Sequence, residues 1–315
     1  VSAEVMKWQL ELALERGRHK FYQWDVDHMD GPQSMIPTVI EQAQPMKTAR
    51  DAEALLKRMQ AMPGYFRNQI QNLREGVAAK RIAARVPVEK LIGQLEGLLK
   101  TPADQTPYAT AAQKLPEDLK ARYLPLIIAA VNNQAYSAYR EYLDFLKMEY
   151  LERSRKEKIG LSDLPEGLPA YRYQIRYHTT LDKTPEELHQ MGLDELKGIH
   201  EETTAIAKKM GHSGDLDSFL EKVRKDPRNF FTTRAEVLKT AEDLVARAKA
   251  KLPEFFGLLP KTDLVVKAIE EYKEKNAVAA QYYPPPDDLS RPGIYYINTY
   301  EPETRPRFSM TSLAA

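Results

Sequence analysis

Apolar residues recur every three or four positions through most of this chain, which predicts a protein built mainly from amphipathic helices. The first such stripe covers residues 4–24 and includes Val5, Trp8 and Leu12. Equivalent stripes predict further helices over residues 48–62, 65–80, 88–100, 119–154, 184–210, 215–225 and 232–251. Residues 171–180 are rich in aromatic side chains, and their pattern fits a helix and an extended segment equally well.

Proline and glycine mark where the predicted helices stop. Gly31, Pro32, Pro37 and Pro45 interrupt residues 25–45, which are therefore predicted to form a loop with short turns at most. The Pro-Gly pair at 63–64 is predicted to end the helix that precedes it.

Two helix starts carry recognisable capping residues. Thr48, followed by Asp51, has the spacing of an N-cap with an acidic partner three residues later. Thr184 is followed by Pro185 and by two glutamates, which favour the positive end of a helix. This second helix is predicted to stop at Gly211.

The C-terminal part of the chain changes character. Residues 294–300 (IYYINTY) are rich in strand-forming residues and follow Arg-Pro-Gly, so they are predicted to form a strand. Residues 264–272 alternate loosely and fit a second strand, whereas residues 282–288 are predicted to be a rigid proline loop. The fold class is therefore mainly α, a large multi-helix assembly with a small β element near the C-terminal end.

A compact loop at residues 160–169 (GLSDLPEGLP) is the best candidate for an internal boundary. It divides the chain into an N-terminal helical region, residues 1–159, and a second helical region, residues 160–315, that ends in the predicted strand.

Charge and composition exclude several classes of partner. The 46 basic and 45 acidic residues balance, which gives no electrostatic case for nucleic acid or an anionic membrane. No apolar run of about 18 residues occurs that could span a bilayer. Cysteine is absent, which fits the cytoplasm and leaves the periplasm open. Because the chain starts without Met, a processed or trimmed N-terminus is expected, and the compartment stays open between the cytoplasm and the periplasm, the latter with a leader removed.

The histidines do not form a metal site by their spacing. A helical zinc site needs two histidines about one turn apart, and none of the six has such a neighbour. His189 and His200 are 11 residues apart, or roughly 16 Å along a helix, too far to share one ion. Both are interpreted as structural or surface residues, and the chain shows no catalytic apparatus of its own.

The segment from residue 282 to 307, YYPPPDDLSRPGIYYINTYEPETRPR, is the most unusual. One interpretation is a buried edge strand followed by a surface loop. The other is an edge strand that pairs with an extended peptide, with Asn298 and the tyrosines fixing side chains and Arg305 or Arg307 gripping a carboxylate. The acidic pair at 287–288 is interpreted as part of a solvated turn that leads into this strand.

Three stretches carry a resemblance to a known family. They are LREGVAAKRIAARVPVEKLIGQL (73–95), GLSDLPEGLPAYRYQIRYHTTLDKTPEELHQMGLDEL (160–196) and SRPGIYYINTYEPETRPRFSMTSLAA (290–315). Over nearly its whole length the chain resembles the bacterial family catalogued as domain of unknown function 885, regarded as gluzincin-like zinc metallopeptidases.

The resemblance implies a site that this sequence does not complete. In the family, a His-Glu-x-x-Pro-Gly-His segment follows the stretch that corresponds to Ser312–Ala315. Its histidines bind zinc, and its glutamate acts as general base on the metal-bound water. The sequence stops at Ala315 without that segment. Zinc is therefore expected for the complete family protein and not for this chain alone.

The resemblance also implies a cleft in which the strand 294–300 aligns a peptide substrate. Alternation along a strand puts Tyr296, Asn298 and Tyr300 on one face and Tyr295, Ile297 and Thr299 on the other. The first face is the preferred cleft face, because Ile297 suits a packed face better. With the two arginines, the expected substrate-binding residues are Tyr296, Asn298, Tyr300, Arg305 and Arg307.

Three functions remain open at this stage. The chain is the N-terminal part of a zinc-dependent carboxypeptidase or oligopeptidase, or it is a non-catalytic helical peptide-binding or scaffold domain. A third interpretation is an inactive fragment whose apolar C-terminal residues, Phe308, Met310 and Leu313, are exposed and mediate association.

Overall fold

A computed structural model describes residues 2–269, 274–275, 277–286, 288–289 and 291–314 of the chain. The chain divides into two compact units, residues 1–191 and residues 192–315. The expected fold class is confirmed, since helices dominate and a three-stranded sheet lies near the C-terminal end. The boundary at 160–169 stays a prediction about how the polypeptide is organised.

The regular structure of the first unit is helical over the described residues, apart from an isolated β-bridge between Ala84 and Arg155. Its helices are α1 (Ser2–His19), α2 (Pro32–Ala43), α3 (Ala49–Ala78), α4 (Arg85–Lys100), α5 (Pro107–Ala112), α6 (Glu117–Ala130), α7 (Tyr136–Phe145) and α8 (Gly167–Thr179). Turns of π-helix at Val131–Ala135 and Leu146–Tyr150 extend α6 and α7 into the long helical run predicted for 119–154. A ninth helix, α9 (Pro185–Lys209), begins in this unit.

Helix α3 is the centre of the first unit. It packs against α6 and α7, and its buried face repeats every three or four residues. The large side chains on that face are Leu55, Met59, Met62, Phe66, Ile70 and Leu73. The Phe66 ring lies 5.3 Å from that of Tyr139 and 5.4 Å from that of Tyr142. Burying each such side chain contributes about 1.5–3 kcal/mol, so this face contributes substantially to the stability of the unit.

Two predictions based on proline are wrong. Residues 25–45 are not all loop, because Pro32 is the first residue of α2, where a missing N–H costs nothing, and Pro37 lies inside the helix. Nor does the pair at 63–64 end a helix, since α3 runs through it. The buried side chains of Met62 and Phe66 hold both sides of Pro63 in the core, and this packing outweighs the lost hydrogen bond.

The predicted helix starts are confirmed. Thr48 Oγ1 accepts a hydrogen bond from the backbone N–H of Asp51, whose carboxylate accepts one from the Thr48 N–H at 2.9 Å. Thr184 Oγ1 accepts from Glu187 N at 3.1 Å, and Thr184 N donates to the Glu187 carboxylate at 2.8 Å. Gly211 follows α9 with a φ of 78°, the left-handed value that suits glycine. Residues 171–179 are helical, within α8.

The second unit contains the sheet. Its further helices are α10 (Leu216–Lys225), α11 (Arg234–Phe255) and α12 (Met310–Ala314), and its strands are β1 (Leu264–Ala268), β2 (Ala280–Tyr283) and β3 (Gly293–Ile297). The strand order is β1-β3-β2, with β1 parallel and β2 antiparallel to β3. One face packs on α11, where Tyr295 and Ile297 meet Val237, Ala241 and Val245.

The strand predicted at 294–300 exists only in part, because β3 covers Gly293–Ile297 and residues 298–300 lie beyond its end. Two further details of the predictions for this region are wrong. Among the described residues β3 is the central strand and not an edge, because the parallel pairing with β1 covers its second side. Tyr282 and Tyr283 belong to β2 and not to the proline loop. Residues 270–272 of the other predicted strand, and Asp287, lie outside the described residues. No described helix is long and apolar enough to cross a membrane.

We expect Gly76→Ala to destabilise the first unit strongly. A Cβ at Gly76 would lie 1.8 Å from the backbone oxygen of Gln23 and 2.7 Å from that of Arg81. Backbone atoms cannot move aside by a change of rotamer as a side chain can, so Gly76→Ala should lower the free energy of unfolding by about 2 kcal/mol or more. Gly64→Ala in the same helix is the control, because nothing lies within 4 Å of its Cβ position. Gly64→Ala should raise the free energy of unfolding, measured in urea, by up to about 1 kcal/mol. Equal stability of the two variants would contradict this packing.

A buried tyrosine pair gives a second stability test. Tyr108 Oη and Tyr139 Oη lie 2.7 Å apart in the core, and burial raises the pKa of both phenols. Either single change to Phe leaves the other hydroxyl buried without its partner and should cost about 1–3 kcal/mol. The double change removes both hydroxyls and should cost clearly less than the sum of the two. Strict additivity in a double-mutant cycle would show that the hydroxyls do not interact.

Candidate functional site

Asn298 lies just beyond the C-terminal end of β3 and connects the sheet to the loop before β2. The residue is 1% exposed. Nδ2 donates to the backbone oxygen of Glu274 at 2.7 Å and lies 3.3 Å from those of Ala277 and Val278. Oδ1 accepts from Tyr300 N at 3.0 Å. Both polar ends of the amide are therefore used within the chain, and Asn298 holds the strands in place.

An ion pair with a buried carboxylate lies beside this amide. Arg234, the first residue of α11, donates from both terminal nitrogens to the Glu274 carboxylate, at 2.8 and 2.6 Å. The Glu274 side chain is almost fully buried, whereas the Arg234 side chain is partly exposed. Two parallel hydrogen bonds to a planar guanidinium fix the carboxylate as well as neutralise it. Removal of Arg234 would leave a buried charge without its partner, which is strongly unfavourable.

Tyr300 and Arg305 lie at the same end of the sheet. The hydrogen bond of the Tyr300 hydroxyl to Glu301 raises the pKa of the phenol, and the nearby Glu274 carboxylate adds to this effect. Arg305 donates from Nε to the backbone oxygen of Tyr300 at 3.0 Å. Its two terminal nitrogens have no hydrogen-bond partner among the described residues. The Nε hydrogen bond thus fixes the Arg305 side chain, and its two terminal nitrogens are available to an anion.

Arg307, the second predicted arginine, is occupied. Its Nε donates to the backbone oxygen of Phe230 at 2.8 Å, and Nη2 donates to Glu236 at 2.9 Å. The guanidinium carbon also lies 4.4 Å from the centre of the Phe231 ring. The pKa of Glu236 is lowered, mainly by the backbone N–H of Thr232 and also by Arg307. Arg307 therefore ties the segment before α12 to the start of α11.

The open side of β2 is the part of the sheet that can still form backbone hydrogen bonds. Asn298 N donates to Ala279 O at 2.9 Å, which fixes the alternation along β2. Gln281 and Tyr283 consequently turn their backbone groups to β3, whereas Ala280 and Tyr282 turn theirs away. Among the described residues nothing pairs with these outward groups, and the Tyr282 residue is 57% exposed.

The outer side of β1 is less accessible at its start. The N–H of Leu264 donates to the carboxylate of Asp263 at 2.8 Å, and Lys249 of α11 pairs with the same carboxylate. Those two bonds lower the pKa of Asp263, with the lysine as the larger cause. β2 is therefore the edge that is better able to accept an added strand.

The remaining predicted residues divide between core and surface. Tyr296 is buried on the face of the sheet opposite α11, where its ring meets that of Tyr283 at 5.6 Å. Tyr295 is on the packed face, as alternation predicted, and its hydroxyl donates to the Leu313 backbone oxygen at 2.8 Å. In the C-terminal segment Met310 is buried in the core of the unit, while Phe308 is exposed.

The donor residues present do not fit a zinc site. No three His, Asp or Glu side chains among the described residues lie close enough together to hold a metal ion. His189 and His200 both project from the exposed surface of α9. Zinc ligation requires three or four such donors around one point, and the described residues do not provide them.

The structure brings Asn298, Tyr300 and Arg305 together at one end of the sheet, and it separates Arg307 from them by its pairing with α11. Sequence reasoning missed Arg234 and Glu274. Arg234 follows the N-cap Thr233 and has the pattern of a solvated helix start, and Glu274 stands in a charged run (EEYKEK) that resembles a solvated surface. No local signal distinguishes a long-range ion pair from two surface charges.

Comparisons with known proteins identify the family. The chain matches, over residues 1–315, the family described as bacterial protein of unknown function (DUF885). No curated protein matches it at a significant level. A crystal structure of a protein from Colwellia psychrerythraea, described as a candidate lipoprotein, shares 23% sequence identity with a TM-score of 0.83. The match covers 92% of this chain and 52% of that chain, so this chain spans about half the length of the relative. At this identity the similarity shows the fold alone. The family match extends over the whole chain, and the protein therefore belongs to the bacterial family of unknown function DUF885.

Proposed function

We propose that this chain is the peptide-aligning part of a zinc-dependent peptidase of the carboxypeptidase or oligopeptidase kind. The observation that carries the proposal is the open edge of β2, with outward backbone groups at Ala280 and Tyr282. An extended peptide can add to such an edge through main-chain hydrogen bonds, which bind any sequence, while neighbouring side chains select among peptides. This edge replaces β3 as the aligning strand, because β3 is already paired on both sides.

The orientation of the sheet indicates where each end of such a peptide would lie. A strand that pairs antiparallel with β2 runs in the same direction as β3. Its carboxyl end therefore arrives where β2 begins, at Ala280, and where β3 ends, at Ile297. Arg305 is bonded to Tyr300, three residues beyond that point. In this proposal Arg305 binds the C-terminal carboxylate of the peptide, which favours the carboxypeptidase alternative.

Each of the other predicted substrate residues takes a role in this arrangement. Tyr300 contributes the carbonyl that holds Arg305, and its own phenol lies at the same end of the sheet. Asn298 and Arg307 are positioning residues, because their polar atoms are bonded within the chain. Tyr296 supports β2 through its contact with the Tyr283 ring.

We propose peptide hydrolysis only for a polypeptide that also contains the His-Glu-x-x-Pro-Gly-His segment, which the family resemblance implies. When bound there, zinc would supply an activated water and polarise the peptide carbonyl. No described residues of this chain fit a zinc site. That observation favours the alternative function for the chain by itself, a non-catalytic peptide-binding domain. Both functions share the β2 edge, and cleavage of the bound peptide distinguishes them.

We expect Tyr282→Pro to weaken peptide binding about tenfold or more, because proline removes the outward N–H and leaves a peptide carbonyl without its donor. Tyr282→Val is the matched control, since it also loses the ring but keeps the N–H and suits a strand. Titration calorimetry with an unstructured peptide measures both, and mass spectrometry of the recovered peptide detects cleavage. Absence of binding by the unaltered chain, or equal binding by both variants, would refute the proposed edge.

Arg305 should make binding depend on the C-terminal carboxylate. A peptide with a free carboxylate should bind about tenfold more tightly than its amidated form, and Arg305→Met should abolish that difference. Arg291→Met is the control, because Arg291 adjoins the opposite end of β3 and donates to the Pro292 oxygen. If the amidated peptide binds the unaltered chain equally well, the carboxylate role is wrong while edge binding can still hold.

A further inference from the structure

Helix α9 exposes a long apolar surface in the second unit. Every residue from 192 to 200 is exposed, although this is the middle of a 25-residue helix. Leu196, Ile199, Ile206 and Met210 expose 49–69% of their surface. A soluble helix normally buries its apolar stripe, and large apolar patches mark interaction sites. Gly192 and Gly198 further weaken α9 as an isolated helix.

The spacing of these residues is that of a coiled coil. Gly192, Leu196, Ile199, Thr203, Ile206 and Met210 follow one another at intervals of four, three, four, three and four residues. This alternation is the heptad repeat by which one helix packs along another. We call these six residues the α9 seam. It requires a helix as partner, not an extended peptide.

We propose that the α9 seam is the interface between two copies of this chain, paired antiparallel. A two-fold axis beside residue 201 pairs the seam with itself in complementary layers. Leu196 meets Ile206 of the second copy, and Ile199 meets Thr203. Gly192 meets Met210, the smallest seam residue opposite the longest side chain. A self-complementary surface of this kind is what a two-fold dimer needs.

The flanking charges support the antiparallel pairing. With the axis at residue 201, Glu195 of one copy lies between the same two layers as Lys209 of the other, and this contact occurs twice. Neither Glu195 nor Lys209 has an ion-pair partner among the described residues. One flanking contact is unfavourable, since Glu202 faces Glu202 of the second copy across the axis. Two attractive Glu195–Lys209 contacts outweigh one repulsive Glu202–Glu202 contact, so the flanking charges favour this register. The register also predicts that a change of charge at each of these three residues alters the affinity of the dimer.

Sedimentation velocity on the intact chain at concentrations up to about 100 µM tests the proposal. The unaltered chain should dimerise. Glu195→Lys and Lys209→Glu should each raise the dimer dissociation constant about tenfold or more, because each places like charges opposite one another twice. The double variant Glu195→Lys/Lys209→Glu should restore the original affinity. Glu202→Gln should tighten the dimer.

Recovery of affinity in the double variant cannot arise from misfolding of either single variant, so it is the decisive result. Leu196→Glu should abolish the dimer, and circular dichroism reports whether its helix content is retained. A chain that stays monomeric at every concentration overturns the proposal and leaves the seam to a helix from another polypeptide segment. A dimer insensitive to all four positions overturns it as well, because the contact is then elsewhere. Peptide binding to β2 is independent of either outcome.

Discussion

The pairing of β3 on both sides is the constraint on which the second unit depends. Each backbone N–H and C=O of a strand buried in a sheet must find a partner, because an unpaired buried polar group costs as much as a lost hydrogen bond. β1 and β2 satisfy those groups from opposite sides, one parallel and one antiparallel. A strand paired in this way cannot also bind a peptide. Recognition by backbone hydrogen bonds is therefore restricted to the outer strands, and β2 has the more accessible edge.

The position of β2 depends in turn on residues at the end of β3. Asn298 binds three carbonyl groups of the segment that leads into β2, and one of them belongs to Glu274. Glu274 is held by Arg234 at the start of α11, the helix that covers one face of the sheet. Helix, loop and edge strand are thus connected through one amide and one ion pair. A rigid edge loses less conformational entropy when it binds than a mobile one, which is why such support matters for recognition.

Local signals in the sequence predicted most of the described helices and the strands β1 and β3, but they missed α2 and β2 and did not indicate which elements pack together. Capping residues such as Thr48 and Thr184 act within one turn, so the sequence alone predicts them. Pro63 was misinterpreted because its effect is decided by burial of the residues around it, which is a tertiary property. The strand at β3 was predicted from composition, but its central position depends on β1, which precedes it by more than twenty residues. Glu274 was missed for the same reason, since its partner is 40 residues away.

Two surfaces of the second unit that have no partner among the described residues, the β2 edge and the α9 seam, differ in kind, and the difference indicates different partners. At β2 the unsatisfied groups are backbone donors and acceptors on a strand, and only another extended chain presents matching groups at the same spacing. On α9 the backbone is satisfied within the helix, and the unsatisfied element is an apolar stripe with heptad spacing. A strand cannot follow that stripe, because its side chains alternate with a period of two, whereas a second helix matches it. The two proposed partners, an extended peptide at β2 and a helix at α9, are therefore recognised by different chemistry.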